Sequence, residues 1–139
     1  MCIGIMRKRV PVHRDKVVGS NKFIWLFFSF SGRVSRLAYF LASLLVGIAQ
    51  VFPYYRFLLV PEGSEAAGTW STIFMVVLIG SLWPHVALSV KRLHDFNREG
   101  FYAIALFIPV ISIVTFFVLC LLPGDKTANR FGSFTNSPK

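Results

Sequence analysis

Three apolar stretches, residues 37–60, 70–90 and 101–122, hold 24, 21 and 22 residues, and together they restrict what this chain can fold into. As helices they would extend roughly 36, 32 and 33 Å, against a hydrocarbon core about 30 Å thick. Each is long enough to span. Backbone groups in lipid must be paired within their own segment, so such stretches are helices rather than strands of an open sheet. The period-two alternation of a β-barrel is absent. A hydrophobic fraction of 55% and a mean hydropathy of +0.62 also exceed what a soluble domain of 139 residues carries.

The fold expected is an all-α membrane protein, a three-helix transmembrane bundle preceded by a short interfacial helix. Residues 1–21, basic and broken by Pro11, Gly19, Ser20 and Asn21, read as a disordered cytoplasmic tail, and residues 135–139 as a flexible C-terminus. The membrane domain occupies 22–134. Its first element, Phe23-Ile24-Trp25-Leu26-Phe27-Phe28, is too short to cross and suits a helix lying in the interface. The start of the chain lacks the apolar core of a secretory signal, so no cleavage is expected. Cys2 and Cys120 lie in such different settings that free thiols are expected rather than a bridge.

Charge sets the orientation. Eight of the fifteen basic residues precede residue 37, and Lys91, Arg92 and Arg98 lie between the second and third stretches, whereas 61–69 carries Glu62 and Glu65 and no cation. Basic residues in short loops stay cytoplasmic, so the N-terminal tail and the 91–100 loop are expected inside. Anionic lipid headgroups account for the net charge of +9 more simply than nucleic acid, which is not expected as a partner. Three spans would leave 123–139 outside. Pro109 divides the third stretch, and a kinked single span is the preferred reading, with a re-entrant hairpin that returns the tail inward as the alternative.

The candidate polar cluster is Arg33, Arg36, His85, Arg92, His94 and Asp95. Ser81, His85, Ser89 and Arg92 recur at helical spacing along the second span, beside an expected kink at Pro84, so they face protein or water. His85 is either a proton relay or substrate contact, or a neutral imidazole bonded to a neighbouring helix, the last being preferred. Asp95 can pair with Arg92 three residues away, or neutralise Arg33 or Arg36 where the first span begins. Such a cross-link would clasp one end of the bundle. His94 and Asp95, adjacent on a helix, diverge by about 100° and do not form a dyad. His13, His85 and His94 are too dispersed for a metal site, and no nucleophile or phosphate loop stands at a diagnostic spacing, so no cofactor or metal is expected. Asn97 can take a left-handed cap and Gly100 a turn into the third stretch.

Phe30-Ser31-Gly32-Arg33-Val34-Ser35-Arg36, Arg92-Leu93-His94-Asp95 continuing to Phe101, Ile108-Pro109, Pro123-Gly124 and Asn129-Arg130-Phe131-Gly132 together resemble the YhaH-like bacterial inner-membrane family, domain of unknown function 805, over roughly residues 23–134. Glu99 and Asp125-Lys126-Thr127 depart from the family pattern. The resemblance implies a bacterial cytoplasmic-membrane protein and no particular reaction. The leading expectation is a non-enzymatic structural or regulatory component that associates with itself or another membrane protein. A transporter or channel subunit lined by Ser81, His85, Ser89 and Arg92, which would need oligomers, is second. An enzyme acting on lipid headgroups through His94, Asp95 and the nearby arginines is third.

Overall fold

The computed structural model describes residues 19–137, and the expectations for 1–18, Cys2 and His13 among them, lie outside this range. Among the described residues there are five helices and no strand: α1 (Gly19–Phe28), α2 (Arg36–Leu58), α3 (Glu65–Asp95), a 3-10 helix (Gly100–Phe107) and α4 (Pro109–Leu121). α1 begins at Gly19, so Gly19-Ser20-Asn21 belongs to a helix and not to the tail. Two of the helices, α2 and α3, are long and apolar enough to cross a membrane.

α2 starts where Ser35 caps it, the side chain accepting from Ala38 N at 3.3 Å. Gly32 just before it takes a φ of +92°, which turns the chain out of α1 into α2. Ser64 caps α3 in the same way, accepting from Ala67 N at 3.1 Å, with Glu65 in the favourable first turn. α3 therefore overruns the expected 70–90 at both ends, and its 31 residues measure roughly 46 Å. Both helices continue through their prolines, Pro53 and Pro84. α3 ends as the sequence suggested, with Asn97 left-handed at φ +55° and the amides of Asn97 and Arg98 returning to His94 O and Leu93 O.

α2 and α3 form an antiparallel pair. Tyr39 Oη meets Ser89 Oγ at 3.2 Å near one end, Gln50 bonds Ser81 midway, and Arg56 covers the Trp70 ring at 4.9 Å near the other. The core gathers at the first of these ends, where Val34, Tyr39, Ala42, Leu88, Leu93, Ala103 and Leu119 pack together.

The third apolar stretch is not a single kinked span. It breaks at Ile108, whose extended backbone (φ −99°, ψ 112°) is what a following proline imposes, and Pro109 then opens α4 at the position where its missing N–H costs nothing. The 3-10 helix leaves from beside the C-terminal end of α3, and α4 returns there, since Asp125 N bonds Asp95 O at 2.8 Å. The two limbs, of 8 and 13 residues, measure about 16 and 20 Å, and neither reaches across 30 Å. The expectation that 123–139 lies at the opposite end from Asp95 is likewise corrected.

Candidate functional site

Asp95 occupies the last turn of α3 and is 3% exposed. Its Oδ1 accepts from Arg33 Nε at 3.0 Å and from Thr135 Oγ1 at 3.1 Å, while Oδ2 pairs with Arg92 Nη1. Arg33 and Arg92, 1% and 0% exposed, are thus bridged by one carboxylate, and the two pairings that the sequence offered as alternatives coexist. Arg92 and Asp95 lie one helical turn apart, and Arg33 reaches them because Gly32 and Ser35 aim the chain between α1 and α2 across the end of α3.

One carboxylate does not balance the buried cations, because Lys91 is also 0% exposed. Backbone carbonyls supply the rest. Arg92 donates Nε to Leu119 O at 2.8 Å and Nη2 to Leu122 O, tying α3 to the end of α4, and Nη1 also approaches Val34 O at 3.4 Å. Lys91 Nζ donates to Trp25 O at 2.7 Å and to Leu26 O in the last turn of α1, and stands 4.7 Å from the Trp25 ring centre. Adjacent residues of one helix thereby satisfy carbonyls that two other helices expose at their C-termini, where the helix dipole is negative.

Arg33 does the same for the C-terminal segment. Nη1 donates to Thr127 O at 2.7 Å and to Gly132 O at 3.4 Å, and Nη2 to Asp125 O. The backbone of Arg33 joins in: its N–H donates to Ser137 O at 3.4 Å and its carbonyl accepts from Asn136 N at 2.8 Å, while Asn136 Oδ1 accepts from Ser35 N at 2.8 Å. Residues 135–137 are therefore held against the clasp and are not a free tail.

His94 lies flat against Phe131, ring centres 3.9 Å apart and planes within 3°, with Nδ1 3.3 Å from Gly32 O. Asn129 donates to His94 O at 2.9 Å and accepts from Phe131 N at 3.0 Å, closing a turn in which Asn129 and Gly132 exchange backbone bonds. Glycine is required nearby for space. A Cβ on Gly124 would stand 1.8 Å from Asp95 Oδ2, and one on Gly100 would stand 2.8 Å from Val90 Cγ1. At the rim, Arg130 pairs with Glu99 at 2.8 Å, both half-exposed.

Four of the six candidate residues, Arg33, Arg92, His94 and Asp95, thus converge on one clasp. Arg36 does not join them: it is exposed, and among the described residues no carboxylate lies within ion-pair distance of it. His85 stands ten residues before Asp95, about 15 Å along α3, and is half-buried at a cleft of about 340 Å³ that it shares with Tyr39, Ser89, Phe107, Ser112 and Phe116. Among the described residues no hydrogen bond to its imidazole is formed, contrary to the expected bond to a neighbouring helix. Ser81 and Ser89 of the same stripe are bonded to α2, and Arg92 is committed to the clasp, so the stripe is an interhelical seam. Among the described residues no group of acidic, histidine and cysteine side chains could hold a metal ion. Cys120 is a free thiol.

The clasp role of Lys91 and the tail partners of Arg33 were missed in the sequence. The signal present was the spacing of Gly124, Asn129 and Gly132, small and turn-forming residues that follow an apolar run. The acceptors themselves are carbonyls, which no residue type identifies.

Most of the chain is similar to other proteins. It is 30% identical over 113 residues to the Inner membrane protein YhaI of Escherichia coli (strain K12), covering 81% of this chain and 88% of the relative, and matches YhaI of Escherichia coli O157:H7 to the same degree. No solved structure matches it. The sequence profile of the family described as "Protein of unknown function (DUF805)" matches residues 27–133, a range that contains Arg33, Lys91, Arg92, Asp95, Gly124 and Asn129. With more than three quarters of its length matched, and with the charged residues of the clasp inside the matched range, the chain belongs to the DUF805 family.

Proposed function

We propose that this chain is an integral protein of the bacterial cytoplasmic membrane in which α2 and α3 cross the bilayer and residues 100–122 enter and leave it from the cytoplasmic side. The clasp and the N-terminal tail face the cytoplasm, and the protein acts as a non-enzymatic structural or regulatory component. The name of its E. coli relatives, an inner membrane protein, supports the compartment, and the cations gathered at the clasp end support the orientation. The limbs of 100–122, each shorter than the hydrocarbon core, support the re-entrant path, which also keeps Lys126 and Arg130 inside.

The observation that carries the non-enzymatic reading is the saturation of the clasp. Asp95 accepts from three side chains, and Arg33 and Arg92 direct their donors at Asp95 and at backbone carbonyls, with almost no surface left for a substrate. A general acid or an anion-binding arginine needs an accessible face. These groups support a structural role: they close one end of a helix bundle whose backbone ends would otherwise be exposed to lipid.

Impermeant thiol labelling of intact cells tests the topology with single cysteines at Glu62, Arg98 and Ser133, all exposed, in a background without Cys2 and Cys120. Labelling at 62 with protection at 98 and 133 is expected. Labelling at 133 alongside 62 would restore a third crossing, and labelling at 98 and 133 but not 62 would invert the orientation. Proteoliposomes test the activity: phospholipid headgroup turnover lost in His94→Ala would replace the structural reading with an enzymatic one.

A further inference from the structure

Arg36 is the one candidate cation that the clasp leaves out, and its surroundings differ from those of Arg33 and Arg92. It opens α2 at the clasp end and stands at the mouth of a groove of about 380 Å³ between α2 and α4. Leu37 and Phe40 form one wall, and Phe117, Cys120 and Leu121 the other. Both walls descend in the same direction, away from the clasp, for about 6 to 8 Å, four or five residues of helix.

We propose that this groove binds one anionic phospholipid, with its phosphate on Arg36 and the upper part of an acyl chain between Phe40 and Phe117. The assignment rests on the membrane orientation proposed above, which puts Arg36 at headgroup depth. Charge complementarity selects the occupant. Among the described residues the clasp end carries buried Arg33, Lys91 and Arg92 against one buried carboxylate, Asp95, and Arg36 stands close enough to Arg92 to act on it as a like charge. Carbonyl dipoles satisfy the donors of the buried cations without cancelling their charge, so the clasp end beside Arg36 carries a net positive charge. Among the described residues no carboxylate pairs with Arg36. A zwitterionic lipid offers this charge a phosphate but brings its own cation; an anionic lipid does not. The wall below is apolar, as an acyl chain requires, and a cationic pocket between helices at the cytoplasmic side has the form of a headgroup site.

Native mass spectrometry of the full chain, released from micelles doped with equal amounts of phosphatidylglycerol and phosphatidylethanolamine, tests the proposal. The wild type is expected to retain phosphatidylglycerol preferentially. Arg36→Gln should reduce that retention about five-fold, the effect of one arginine at an anionic surface, while Arg36→Lys keeps most of it. Arg98→Gln, at an exposed cation away from the groove, should match the wild type. Cys120→Phe, which fills the groove and leaves Arg36 in place, should also reduce retention. Retention unchanged in Arg36→Gln would overturn the proposal. Loss in Arg36→Gln with full retention in Cys120→Phe would replace the site by diffuse surface attraction, and displacement of the lipid by millimolar inorganic phosphate would replace it by a free-anion site. Because Arg36 is outside the clasp, none of these results depends on Asp95, and the thiol labelling above reports independently on orientation.

Discussion

Replacing Asp95 by alanine removes the carboxylate that bridges two buried arginines. Breaking a buried ion pair by deleting one partner costs about 3 to 5 kcal/mol, because the surviving charge stays desolvated. Here two charges survive, which pushes the cost up. Each keeps carbonyl acceptors, Thr127 and Gly132 for Arg33 and Leu119 and Leu122 for Arg92, which pulls it down. Thr135 also loses its acceptor, worth about 1 kcal/mol. The expected net loss is about 4 kcal/mol. At roughly 3 °C per kcal/mol for a chain of this size, Asp95→Ala should melt about 12 °C below the wild type in detergent. Asp95→Asn preserves the volume and one acceptor oxygen but sets an amide donor against a guanidinium, and should lose about half as much. Tryptophan fluorescence or circular dichroism during a thermal ramp reads both. An Asp95→Ala protein melting within 2 °C of the wild type would refute the clasp, and if a measurable activity vanished at the same time, Asp95 would belong to a functional site instead.

Gly124→Ala should destabilise by about 3 kcal/mol, since its Cβ would stand 1.8 Å from Asp95 Oδ2 and displace either the 123–125 backbone or the ion pair, while Gly80→Ala, with nothing within 4 Å of the added atom, should melt no lower than the wild type. Lys91→Met keeps the stem of the side chain but strips the carbonyls of Trp25 and Leu26 of their cation; α1 should detach, seen as a red shift of Trp25 emission and faster proteolysis within 19–28 at a melting temperature lower by several degrees. Phe131→Ala removes the ring stacked on His94 and should cost about 1 kcal/mol beyond the lost burial, and Phe131→Trp should recover most of it in the same thermal assay.

Residue order alone determined a good deal of this protein. The lengths of 37–60 and 70–90 implied helices long enough to cross a bilayer because hydrocarbon thickness sets a minimum that few other structures need, and α2 and α3 have that length and apolar character. The left-handed turn at Asn97 was legible because few side chains tolerate positive φ. That Asp95 pairs with an arginine was legible because isolated charge at the edge of an apolar segment is costly, but that it bridges Arg33 and Arg92 at once was decided by the tertiary structure. The path of 101–122 was not legible. Hydropathy reports which solvent a segment prefers and not whether it continues or doubles back, and Pro109 is compatible with a kink as well as with a new helix start. Only tertiary contacts distinguish these: Arg92 reaching Leu119 and Leu122, and Arg33 reaching Asp125 and Thr127, bring the end of α4 back to the end of α3. The same reason hid the role of Lys91. Its acceptors are main-chain oxygens, present at every residue, and their availability is set by where helices happen to end and what arrives beside them in space.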